Sequence, residues 1–118
     1  MKRDWELIRY LLLFFEGDER DELKNYEQEL IWEHARLLVE AGYLKDIRFQ
    51  RNHVGTVCGM CQYGNCNITM VGYDFLDSIR ERDIWDKVFA VIKEHGGSLA
   101  ISIVAKVAQR YIETKLGI

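Results

Sequence analysis

The sequence predicts an α+β domain in which helices carry most of the chain and a short two-stranded ribbon interrupts them. Apolar residues recur at three- and four-residue spacing in several separate runs, the mark of amphipathic helices. One glycine-rich stretch is flanked by residues that alternate between apolar and polar, the mark of paired strands. The chain has 118 residues, 48% hydrophobic and none proline. At that length a folded chain buries roughly two thirds of the surface its unfolded form exposes, enough for a core without obligatory staples.

Residues 4–16 place Trp5, Ile8, Leu11, Leu12 and Phe15 on one helical face behind Asp4, which can cap the first turn, and Gly17 ends that helix. Asp18 to Asn25 is polar, with Leu23 its strongest apolar anchor, and reads as a loop or one short helix. From Tyr26 to Ala41, Leu30, Ile31, Ala35, Leu37, Leu38 and Ala41 form a second stripe, with Gly42 where a left-handed C-cap would stop it. Tyr43 to Arg51 carries Leu44, Ile47 and Phe49 among charges, and beyond the glycine-rich loop Ile68 and Met70 alternate with Asn67 and Thr69. Two short strands joined by a long tip loop are expected there.

Thr69 can cap a helix holding Tyr73, Phe75, Leu76 and Ile79. The stripe changes phase near Arg82, and Asp83 is expected to cap a second run with Trp85, Val88, Phe89 and Ile92. Two helices or one sharply kinked helix follow. Gly96 and Gly97 break the chain, Ser98 is expected to cap again, and Ile101, Val104, Ala105, Ala108, Tyr111 and Ile112 make a last helix ending near Leu116. Its apolar surface, which also includes Ile103 and Val107, is broad enough either to close the core or to make a two-fold homodimer.

Helix, short polar segment, helix, then strand, loop and strand is the order of a winged helix-turn-helix. Residues 1–71 are therefore expected to form a winged-helix-like core, with Leu12, Ile31, Leu38, Leu44 and Ile68 inside. Residues 72–118 add C-terminal helices, and the whole of 1–118 reads as a single domain. Such folds either bind DNA or dock proteins, so the order does not choose between them.

Particular residues carry a closer likeness. They are Met1-Lys2-Arg3-Asp4-Trp5-Glu6-Leu7-Ile8-Arg9, His34 with Leu37-Leu38-Val39-Glu40-Ala41-Gly42, Ile68-Thr69 with Gly72-Tyr73-Asp74-Phe75-Leu76-Asp77-Ser78-Ile79-Arg80, and Trp85 with the Gly96-Gly97-Ser98 break. With these the chain resembles a family of short phage and prophage proteins catalogued as a domain of unknown function. The resemblance implies a winged-helix-like fold and a mobile-element setting, and no activity. Two features depart from that family's pattern: Tyr73 stands where His is usual, and the wing carries cysteines.

Sixteen Lys and Arg against nineteen Asp and Glu give a net charge of −3, which argues against a surface built throughout to hold nucleic acid. The first residues have too short an apolar run for a signal peptide or a membrane span, so no membrane partner is expected. Three cysteines close together are not an even disulfide framework, and the compartment reads as reducing, the cytoplasm of a bacterial host cell.

Those cysteines give the sharpest chemical signal, His53-x4-Cys58-x2-Cys61-x4-Cys66. A Cys-x2-Cys turn can aim two thiolates at one ion, and His53 with Cys58, Cys61 and Cys66 would complete a tetrahedral zinc site. The other readings are a loop of reduced thiols with no cofactor required, or a disulfide between two of them. Charge gives the second signal: from Glu16 to Glu33 there are eight acidic residues against two basic, a local net of −6. Glu19, Asp21, Glu22, Glu27, Glu29 and Glu33 form either a solvated face or a docking surface for a basic host or phage protein. An acidic front repels phosphate, so DNA binding, the alternative, would fall to Lys45, Arg48 and Arg51 on the first wing strand.

His34 reads as a hydrogen-bonded structural residue and His95 as a helix C-terminal dipole partner. Asp74 and Asp77, one turn apart, are explained by a helix start. No phosphate loop, catalytic triad spacing or His-Glu-x-x-His is present, and the reading is a non-enzymatic binding protein.

Overall fold

The computed structural model describes residues 3–117. In chain order it contains α1 (Trp5–Phe15), a 3₁₀ turn (Asp21–Asn25), α2 (Gln28–Glu40), β1 (Ile47–Arg51), β2 (Val57–Gln62), α3 (Met70–Ile79), α4 (Arg82–Glu94) and α5 (Ile101–Leu116). The architecture is α+β, five helices and one two-stranded antiparallel sheet among the described residues.

Local chemistry sets the helix ends. The Asp4 carboxylate accepts from the Leu7 amide at 3.1 Å and caps α1. At the end of α2, Gly42 takes φ +86°, its N–H donates to Val39 O at 3.0 Å, and the Tyr43 N–H donates to Leu38 O at 2.9 Å. That pair of bonds is a Schellman motif, and it turns the chain so that Tyr43 and Leu44 enter the core. Thr69 Oγ1 accepts from the Gly72 amide at 3.0 Å and starts α3 as expected.

Two expected caps are not made. α4 begins at Arg82 behind Glu81, with Asp83 inside its first turn, and α5 begins at Ile101 behind Ala100 rather than at Ser98. Neither Glu81 nor Ala100 offers a side-chain cap bond, so packing, not capping, fixes these two starts.

The ribbon also differs from the expectation. The sequence suggests a long tip loop carrying the cysteines, closed by a return strand around residues 67–70. Instead the hairpin closes early, over residues 52–56. Asn52 Oδ1 accepts from the amides of Val54 and Thr56, each at 3.0 Å, and Gly55 supplies φ +86°. The return strand is Val57–Gln62. Ile68 pairs only with Leu44, in an isolated bridge.

One cluster of buried residues runs from Trp5, Leu11 and Leu12 on α1 through Leu38, Leu44 and Ile68 to Leu76, Ile79, Trp85, Val88, Val104 and Ala108. Ile31, expected inside, is only part-buried at its edge. α5 presents Val104 and Ala108 to the core, with Ala105, Val107, Tyr111 and Ile112 packed around them, so this helix covers the core against α3 and α4. None of the described helices is long and apolar enough to cross a membrane.

Candidate functional site

The acidic segment folds into the 3₁₀ turn and the entrance to α2. Its charges are partly compensated: Arg20 pairs with Asp18 and Glu22, Lys24 with Asp21, and Arg36 with Glu33 and Glu40. Glu16 is drawn away by Arg80, the C-cap of α3. Among the described residues, Glu19, Glu27 and Glu29 have no ion pair, and all three are exposed. Glu27, Glu29 and Glu33 surround Leu30 in a shallow recess of about 350 Å³. Tyr26, half-buried and near Asp4, Tyr10 and Glu6, has its phenol pushed up to about 12, mainly by burial. An ionised phenolate would add a further charge to an already negative surface.

Lys45, Arg48 and Arg51 are all exposed, but they do not form one basic stripe. Alternation along β1 puts Arg48 on one face of the ribbon and Phe49 and Arg51 on the other. The Arg48 guanidinium lies 5.3 Å from the Tyr63 ring centre, while Arg51 donates to Gly55 O at 2.8 Å.

The cysteines do not stand on a metal-binding turn. Cys58 is the unpaired residue of a bulge in β2, where Gln50 faces Gly59 and Arg51 faces Val57, and Cys61 faces Arg48. Three steps along a strand separate two Cα atoms by roughly 10 Å, whereas thiolates sharing a zinc each lie about 2.3 Å from it. His53 sits in the hairpin turn and Cys66 lies beyond the strand. Among the described residues, no group of three or more His, Cys, Asp or Glu is gathered in a way that could hold a metal. All three thiols are free and exposed. Cys66 Sγ lies 3.7 Å from Tyr73 Oη and 3.3 Å from Ile68 O. A hydrogen bond from the Tyr73 hydroxyl lowers the Cys66 thiol below its ordinary range, and the thiol in turn raises the Tyr73 phenol.

Two buried polar residues hold the neighbourhood in place. His34 is fully buried: Nδ1 donates to Leu30 O at 2.9 Å and Nε2 accepts from the Asp4 amide at 2.8 Å, an assignment set by its two partners. Asn67 was not singled out in the sequence. Its amide donates to Lys45 O and Asp46 O, each at 3.1 Å, and to Tyr63 O at 3.3 Å, closing the base of the ribbon. An Asn two residues before a capping Thr is the signal the sequence offers. His95 is the C-cap of α4, as its position suggests.

Comparison with known proteins returns sequences without assigned activity. An uncharacterized protein of Haemophilus influenzae is 27% identical over 124 residues, an alignment that covers 98% of this chain and 99% of the relative. No solved structure matches the chain. A family described as "Hypothetical protein (DUF2513)" matches residues 2–98, and since that is most of the sequence, the chain belongs to this family.

Proposed function

We propose that this is a non-enzymatic, phage- or prophage-encoded binding protein of the bacterial cytoplasm, with a winged-helix-like core whose acidic face docks onto a basic surface of a host or phage protein. The observation that carries the reading is the recess around Leu30. Unpaired Glu27 and Glu29 and part-buried Glu33 ring one apolar side chain, the composition of a patch that binds a Lys- or Arg-rich surface with a hydrophobic anchor.

The winged-helix reading is supported by the order α1, 3₁₀ turn, α2, β1, β2, and by α2 packing beneath both strands. In that reading α2 takes the place of a DNA-recognition helix. It carries Glu29, Glu33 and Glu40, and its one arginine, Arg36, is held by Glu33 and Glu40 at 3.0 Å each. A helix so charged opposes phosphate, which removes the main source of DNA affinity.

Affinity purification from the bacterial host, with wild-type protein and a Glu27→Lys/Glu29→Lys variant as baits, tests the reading. A basic protein recovered with wild type and lost with the variant, at unchanged thermal midpoint, supports docking. DNA recovered by both baits and released by Arg48→Ala would replace it with a regulator acting through the wing.

A further inference from the structure

Seven large hydrophobic side chains are exposed among the described residues, and four of them, Met70, Val71, Ile103 and Leu116, belong to α3 and α5. Met70 is 81% exposed and Val71 55%, at the start of a helix whose other face is fully buried. Between these two helices runs a cleft of about 440 Å³, floored by Tyr43, Phe75, Ala105 and Ile112 and edged by Asp74 and Asp77. Asp77 is shared with Arg80, but Asp74 has no ion pair among the described residues. Beside the cleft, Ile103, Lys106 and Arg110 are exposed at i, i+3 and i+7 on the outer side of α5. Lys106 and Arg110 have no acidic partner among the described residues.

We propose that a second copy of this chain closes the cleft in a two-fold dimer, with the Ile103–Lys106–Arg110 stripe of each copy laid against the Asp74 edge of the other. The charge and shape of the two halves argue for self-pairing. An apolar cleft with an unpaired acid at its rim needs an apolar side chain with cations one and two turns away, and the neighbouring stripe supplies that combination. Lys106 stands one turn before Gln109, which lines the cleft, so stripe and cleft border each other along α5 and a two-fold rotation can make the same contact twice, as an isologous interface requires. The Leu30 recess involves other residues, so this pairing does not depend on the docking reading.

Sedimentation velocity on the full chain over a concentration series tests it, with Lys106→Asp, Asp74→Lys, the two combined in one chain, and Arg110→Glu, each checked for an unchanged thermal midpoint. Wild type should sediment as a dimer. Each single charge reversal should raise the dissociation constant about tenfold or more, and the combined variant should recover most of the loss. Arg110→Glu supplies an independent reversal should either of the others fail to fold. A wild-type chain that stays monomeric at its highest soluble concentration overturns the proposal, and a cationic amphipathic peptide bound by that monomer would show the cleft to be a site for a different partner. A dimer indifferent to every reversal overturns it equally, because the copies would then meet elsewhere.

Discussion

His34 on α2 accepts a hydrogen bond from the backbone amide of Asp4, 30 residues earlier, at 2.8 Å. Asp4 is the residue whose side chain caps α1, so one imidazole fixes where α1 begins relative to α2. The other ring nitrogen returns its proton to Leu30 O, one turn back on α2. The ring is fully buried and both of its nitrogens are satisfied, the condition under which a polar core residue specifies an arrangement.

His34→Leu keeps the approximate volume and removes both bonds, leaving the Asp4 amide without a partner. A loss of about 1–3 kcal/mol is expected from that orphaned donor, read as a lower denaturation midpoint at unchanged slope. A variant as stable as wild type would show that water replaces the ring at no cost.

Gly72 marks the closest approach of α3 to the turn after α2. A Cβ built there would stand 2.8 Å from Ile68 Cγ2 and closer still to the carbonyl oxygen of Tyr43, the residue that completes the Schellman motif. In an open helix Gly→Ala would gain about 1 kcal/mol. Here the obstacle is backbone, which cannot swing aside, and overpacking typically costs about 1–3 kcal/mol. Gly72→Ala should therefore melt lower than wild type, and a higher melting temperature would place α3 farther from the turn.

Much of this fold is legible because local signals agree with global packing. Asp4, Gly42 and Thr69 act as sequence rules assign them, and Leu12, Leu38, Leu44 and Ile68 are buried. The ribbon departs from its expectation because Gly55, Gly59 and Gly64 look alike in sequence yet do different things. Gly55 closes the hairpin, while Gly59 sits mid-strand against the Gln50 side chain. A single loop through all three glycines would put the cysteines on a tip, whereas Cys58 and Cys61 stand on β2. Of the candidate sites, the acidic residues lie where their local sequence puts them. The metal set needs four residues to converge through backbone geometry, which instead places His53 in the hairpin turn, Cys58 and Cys61 along β2 and Cys66 beyond it.

Accessible thiols, two along β2 and one beyond its end, should behave independently. Native protein should titrate three thiols, with no change on adding a chelator. Near-stoichiometric zinc that disappears in Cys61→Ser would overturn this and require β2 to rearrange around the ion. Cys66 differs from the other two in having Tyr73 as a hydrogen-bond partner, which lowers its thiol. In Tyr73→Phe the rate–pH profile for alkylation of Cys66 should move to higher pH, as mass spectrometry of the modified peptide would show. An unmoved profile would mean that the hydroxyl does not hold the sulfur.

Glu16, just past the end of α1, receives both terminal nitrogens of Arg80 at 2.6 Å, and Arg80 also reaches Asp77 at 2.8 Å. This clamp joins α1 to the end of α3 across 64 residues of sequence. Arg9 works beside it, donating to Ile79 O at 3.0 Å and Arg80 O at 2.8 Å, so two arginines serve one helix terminus. The Arg80 guanidinium holds the Glu16 carboxyl below its ordinary value of 4.5. A group lowered on folding stabilises the native state above its unfolded pKa, and that contribution is lost as the pH falls through the folded one. Arg80 is substantially exposed, which limits the pair to about 0.5–1 kcal/mol even with its bidentate geometry. Glu16→Gln should therefore be less stable than wild type by that amount at neutral pH. The gap should begin to close below pH 4.5 and vanish once wild-type Glu16 is protonated, as paired denaturant titrations across the acid range would show. A gap that persisted undiminished into strong acid would mean that Glu16 acts through packing rather than charge.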